Sequence, residues 1–199
     1  MALENFSSGK IYLSIADGKL VRQFREATPD TKERINKNGK QVFEQTFDAI
    51  VGRLTGVSKK ENDYGIFIEI GLTDGKDNYN ISTQFSGRYS SSFLKALPNI
   101  NLSKDVRLLP WSMIDSKDAS KKVTGITLYQ NDGNGWVKVA PFYTKEDPKG
   151  LPQMKQVTLK GKTQWDDTEM MQFLFDSAQI SFKPVPVDSN SITQEDAPF

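Results

Sequence analysis

Cysteine and histidine are both missing from the 199-residue chain. Their absence excludes a cysteine nucleophile, a Ser-His-Asp triad, zinc fingers, thiolate-held iron-sulfur clusters and His-containing metal triads, because each needs a ligand or base that is not there. Any catalysis would have to run on carboxylates, lysines or hydroxyls. Also lacking is any apolar run near the roughly 18 residues that would suggest a membrane span. Met1 to Lys10 has no basic segment followed by an apolar one, so no secretory signal is expected. Zero cysteines fit a reducing cytoplasm, which is the compartment expected.

Nucleotide and acyl-transfer signatures are missing too. The four Gly-Lys pairs begin at Gly9, Gly39, Gly75 and Gly161, and a phosphate-binding P-loop would need glycine five positions before each. Glu4, Arg34, Ile70 and Gln156 stand there instead. Neither a Gly-x-Ser-x-Gly elbow nor a Gly-x-Gly-x-x-Gly turn after a strand occurs.

What is present is an ordinary globular balance: 37% hydrophobic, 26% charged and 11% aromatic residues. A chain of this length buries about 70% of its unfolded surface and holds a core without disulfides or metals. Charge is informative once divided. Residues 1–187 carry four more basic than acidic residues, whereas residues 188–199 carry Asp188, Glu195 and Asp196 and no base. The body is mildly basic and the end acidic.

Apolar alternation points to strands. Ile11, Leu13 and Ile15 alternate with Tyr12 and Ser14, Asp17-Gly18 offers a turn, and Leu20 to Phe24 returns as a hairpin partner. Thr28 to Lys40 reads as an exposed basic loop. Phe43 to Val57, interrupted by Gly52 and Gly56, reads as one long bent strand, followed by a polar turn over Lys59 to Asp63. Tyr64 to Leu72 places Ile66, Ile68 and Ile70 on one face. Tyr79 to Phe85, Val106 to Ile114, Val123 to Tyr129 and Trp136 to Val139 complete the strands. Tyr89, Phe93 and Leu97 predict a helix over 88–97 stopped by Pro98, and Asp166 with Glu169 predicts a capped second helix over 167–177.

Seven or eight strands with a helix after the third or fourth suit a mainly β fold. The expectation is an OB-fold-like five-stranded barrel over residues 43–139, with an extra N-terminal hairpin, one inserted helix and one C-terminal helix. Composition alone equally permits a sandwich. Residues 1–183 are expected to form a single domain, and residues 184–199 a disordered acidic tail.

Asp166, Asp167 and Glu169 could hold Mg²⁺ in a nuclease, but acids in the first helical turn more often complement the helix dipole. Asp74, Asp77 and Asn78 read as a hairpin turn rather than a calcium loop, whose ligand spacing they lack. No catalytic residue, metal or cofactor is expected.

The nucleic-acid reading starts from aromatics that alternation points away from the core. Phe67 lies opposite the isoleucine face, and Trp136 lies beside Lys138. A ring stacks on a base and an ammonium pairs with phosphate, which is what a single strand needs. Lys59, Lys60, Lys121, Lys122 and the loop cations Lys32, Arg34, Lys37 and Lys40 are expected to rim such a groove. Ordinary surface lysines are the competing reading. At the end, Glu195 and Asp196 precede Pro198 and Phe199. That ring can fill an apolar pocket on a partner while the acids and terminal carboxylate meet Arg or Lys.

With this tail and strand order the chain resembles the single-stranded DNA-binding proteins of bacterial or bacteriophage replication. That family has an OB-fold and an acidic tail ending in phenylalanine, and the larger body here points to a phage-type or mobile-element relative. The resemblance implies sequence-independent coating of single-stranded DNA in replication or recombination, without catalysis. It also implies recruitment of replication or recombination proteins through Glu195, Asp196, Pro198 and Phe199. A phage-encoded chain would act in the bacterial host cytoplasm. No membrane partner is expected, and self-association stays open. The competing function class is a β-rich structural phage protein of tail or baseplate type, with no nucleic-acid role.

Overall fold

The computed structural model describes residues 9–36, 39–159 and 162–183. The fold is mainly β. In chain order the elements are β1 (Lys10–Ala16), β2 (Lys19–Phe24), β3 (Lys32–Ile35), β4 (Gln41–Phe47), β5 (Ile50–Asn62), β6 (Gly65–Thr73), β7 (Asn78–Gln84), α1 (Arg88–Ala96), a 3-10 turn (Leu97–Asn99), β8 (Val106–Ile114), β9 (Lys122–Asn131), β10 (Trp136–Lys138), β11 (Lys155–Leu159), β12 (Lys162–Asp166) and α2 (Thr168–Ser181).

Ten strands form one sheet in the order β10-β9-β8-β5-β6-β7-β1-β2-β4-β3, and β11-β12 form a separate pair. The succession of three strands, a helix and two strands expected between Phe43 and Val139 is found as β5-β6-β7-α1-β8-β9. A closed five-stranded ring is not found: the sheet is open, with β10 and β3 at its edges. The free side of β7 is taken by β1, which runs parallel to it with Tyr12 beside Asn80 and Leu13 beside Ile81.

Strand β5 organises the sheet. Its start, Ile50–Gly52, pairs with β8, and the rest pairs with β6. Gly52 permits the close approach at this corner, since a Cβ there would meet the Thr73 carbonyl oxygen at 2.6 Å. A β-bulge follows between Leu54 and Gly56. One extra residue reverses the alternation, so Leu54 and Val57, three apart, both enter the core.

The core joins the inner sheet face, including Ile68, Ile70, Leu72, Ile81, Leu108 and Leu128, to Phe93 and Leu94 of α1 and Met171 and Leu174 of α2. Burying one such side chain fully contributes about 1.5–3 kcal/mol. Helix α1 is held by polar ties as well: the Ser90 hydroxyl donates to the Gln84 carbonyl at 2.5 Å, and Ser92 Oγ accepts the Ile126 N–H at 2.7 Å. Helix α2 lies against β5, where the Gln179 amide donates to the Val57 carbonyl.

Several sequence expectations are corrected. Thr28 to Lys40 is not all loop, because Lys32–Ile35 pairs with β4 as an edge strand. The single bent strand from Phe43 to Val57 is two strands, broken at Asp48-Ala49, and β5 runs on through Lys59 and Lys60 to Asn62. Ile66 is partly exposed rather than core. Asp166 makes no capping box: its carboxylate accepts the N–H and hydroxyl of Thr168, while Glu169 pairs with Lys155. Residues 184–199, assigned to the tail, lie outside the described residues.

Candidate functional site

Alternation in paired strands sets which side chains share a surface. On the side of β1-β7-β6-β5 away from the core, cross-strand pairing aligns Tyr12, Asn80 and Gly71, and four residues further along it aligns Gln84, Phe67 and Lys60. Phe67 therefore stands where the isoleucine alternation places it, half-buried on the outer face. Tyr12 is 62% exposed on the same face.

These strands also hold an open cavity of about 290 Å³, lined by residues including Lys10, Ser58, Glu69, Gly71, Asn78 and Asn80. Gly71 forms part of its floor. A side chain there would crowd Thr55, whose Oγ1 would be 2.5 Å from an added Cβ. Asn80 is only 8% exposed and lines the cavity, and no buried side-chain polar atom among the described residues is left unsatisfied. The cavity lining thus includes a residue able to donate and to accept, Asn80, and the cationic Lys10.

The cations named from the sequence divide by environment. Lys60 lies on the outer face beside Phe67 and pairs with Glu69 at 3.6 Å. Lys59 lies on the opposite face. Its ammonium sits 4.5 Å from the Phe85 ring centre and donates to Gln172 of α2 at 3.2 Å. Lys121 pairs with Asp118 at 2.8 Å, and Lys122 with Asp17 at 2.6 Å. The Lys122 ammonium holds the Asp17 carboxyl below its usual range, and Asp17 in turn raises Lys122.

On β3 the Arg34 guanidinium grips Glu44 through two bonds, at 2.8 and 2.5 Å, and keeps that carboxyl ionised below its ordinary value. Lys32 and Lys40 form no ion pair with a described residue, and Lys37 lies outside the described residues. Glu195, Asp196, Pro198 and Phe199 lie outside them as well.

Trp136 and Lys138 sit on the edge strand β10, with Lys138 opposite Tyr129 and, across β9, Arg107. Trp136 is 38% exposed and Val137 is more exposed still, so this short strand is open on both faces. Strands β9, β8 and β5 separate it from Phe67. The structure thus brings Phe67 and Lys60 together and keeps Trp136 and Lys138 as a second cluster.

The sequence reading missed three polar or aromatic groups: Tyr12 and Asn80 at the cavity, and Trp165, 61% exposed on β12. Only the Tyr12-Ser14 alternation hinted at the first. Among the described residues no group of three acids is placed to hold a metal ion, so Asp166, Asp167 and Glu169 form no metal centre. Among the described residues no helix is long and apolar enough to cross a membrane. In comparisons with known proteins, no family model matches the chain, and no curated protein or solved structure does so either.

Proposed function

We propose that the chain binds single-stranded DNA without sequence preference and performs no chemistry on it. The strand runs over the outer face of β1, β7, β6 and β5. The observation that carries this reading is the shared outer face of Tyr12, Phe67, Lys10 and Lys60, which also holds an open cavity lined by Lys10 and Asn80. Rings stack on bases of any sequence at about 1–3 kcal/mol each, and ammonium groups neutralise phosphates. Within this reading β5 to β9 with α1 form an OB-like, partly open five-strand unit, elaborated by β1 and β2 beside β7. Residues 1–183 act as one binding domain. The acidic end recruits replication or recombination proteins through Glu195, Asp196, Pro198 and Phe199, as in a phage-type single-stranded DNA-binding protein.

Fluorescence anisotropy with labelled oligo-dT and a duplex of equal length tests the reading. The single strand should bind more tightly, with a log–log salt slope of about −0.7 per phosphate neutralised. Tyr12→Ala should weaken binding about 5- to 150-fold, the equivalent of one stacked base. It should leave the thermal midpoint nearly unchanged, because the ring is mostly exposed. Absence of single-strand binding at low salt, together with assembly into large oligomers, would favour the structural phage protein instead.

A further inference from the structure

Residues directly opposite each other in paired strands present their side chains to the same face of a sheet. On β8, β9 and β10 this puts Arg107, Tyr129 and Lys138 in one row, with the tyrosine between the two cations. The row reaches β5 at Val51, which is opposite Arg107 and exposed. Val106 and Leu108, on either side of Arg107 in sequence, are fully buried, so the row lies on the side away from the core. Trp136, two residues before Lys138 on β10, joins the same side.

This face continues into a cavity. Four residues beyond Arg107 on β8, Trp111 stands opposite Gly125, whose missing Cβ makes room for the indole against β9. Trp111, Thr127, Lys138 and Lys95 of α1 are among the residues lining an open space of about 280 Å³. Among the described residues Arg107, Lys138 and Lys95 form no ion pair. The acids of the adjoining segments have other partners. Asp48 is bound by Lys19, which, with a smaller pull from Arg107, holds its carboxyl below the usual range. Asp105 faces Arg53 at 4.0 Å, and Asp132 accepts the Asn134 N–H at 2.9 Å.

Unpaired cations make an anion the complement of this face, and the rings set between them select its kind. An acidic protein segment would use the cations alone. A single strand uses both, a base on each ring and a phosphate at each cation. The face is also continuous with the one assigned to DNA above, because β5 carries Val51 at one end and Lys60 at the other.

We propose that the outer face of β8, β9 and β10 is a second contact for single-stranded DNA, in which bases stack on Tyr129 and Trp136 while Arg107 and Lys138 neutralise phosphates. This rests on the function proposed above and extends the path of the strand from Lys60, along β5, to the β10 edge of the sheet.

The test uses the full chain and oligo-dT in three independent measurements. In a Trp111→Phe, Trp165→Phe variant, Trp136 is the sole tryptophan, and its emission should be quenched by saturating oligo-dT. Replacing Arg107 and Lys138 by Gln should make the salt slope shallower by about 1.4, at 0.7 per lost phosphate contact. Tyr129→Leu, which keeps an apolar side chain at this half-buried position, should weaken binding about 5- to 150-fold with an unchanged slope, and Tyr129→Phe should restore it.

If the wild-type chain binds oligo-dT while the Arg107, Lys138 double variant keeps the full slope and the lone Trp136 is not quenched, this assignment is overturned and the main-face reading stands. If the wild type itself does not bind, both fall. Loss of self-association in the double variant at unchanged DNA affinity and slope would also overturn the assignment, in favour of a second copy of the chain.

Discussion

The Gly18 backbone N–H donates to the Tyr89 hydroxyl at 2.9 Å, joining the turn of the first hairpin to helix α1. The ion pair between Asp17 and Lys122 fixes the same turn to the start of β9. The hairpin is thereby held at both ends, along β7 and against the β8-β9 side of the molecule.

Gly18 has φ +76°, and a Cβ there would lie 2.5 Å from the Ser112 nitrogen. Gly18→Ala combines left-handed strain with a backbone clash and should destabilise the fold by at least about 2 kcal/mol. Tyr89→Phe removes one hydrogen bond and should cost about 1 kcal/mol. Urea unfolding of both variants gives the comparison, with Gly18→Ala expected to have the lower midpoint.

Trp111 and Gly125 face each other across β8 and β9, and a Cβ on Gly125 would lie 2.6 Å from the indole. Gly125→Ala must displace that ring. The expected result is a shifted tryptophan emission maximum together with a lower thermal midpoint, because crowding a packed position typically costs about 1–3 kcal/mol. In a Trp111→Phe background the emission shift should vanish.

Lys59 and Lys60 are neighbours in sequence with opposite assignments. Lys60→Ala should weaken oligo-dT binding and make the salt slope shallower by about 0.7, with little change in stability. Lys59→Ala should leave the slope unchanged and cost about 0.5–1 kcal/mol of stability through its contact with the Phe85 ring. Salt titrations and melts of the two variants should therefore exchange their effects.

Asp74 orders the β6-β7 turn by accepting the N–H groups of Asp77 at 2.7 Å and Lys76 at 2.9 Å and the Tyr79 hydroxyl at 2.9 Å. These bonds favour the carboxylate and lower its pKa below the usual 3.8. A depressed pKa stabilises the fold fully above about pH 4 and ceases to do so as pH falls through the folded value. Tyr79 moves the other way. Burial, then Asp74, raises it above 10.0, so its contribution is complete below that pH and is lost in stronger alkali. Wild type should melt above Asp74→Asn at pH 7, and the gap should narrow on acidification toward pH 2.5.

The sequence disclosed those features whose physics is local. Alternation located the inner faces of β6 and β7, Asp17-Gly18 announced its own turn, and Pro98 marked the end of α1. The outward side of Phe67 followed from the isoleucines around it. Lack of cysteine and histidine removed whole classes of chemistry before any fold was known.

The assignments that govern the candidate site are not local. Without the bulge at Leu54/Gly56, Lys60 would share the parity of Leu54 and face inward. An inserted residue leaves no mark in composition, so only strand pairing reveals it. β1 beside β7 brings Tyr12 to Asn80 across 68 positions of sequence, a juxtaposition that no periodicity encodes. Alternation tells each strand which residues face together, but the partner strand and the register are chosen by the packing of the entire core, and that choice alone assembles the rings, amide and ammonium groups on one surface.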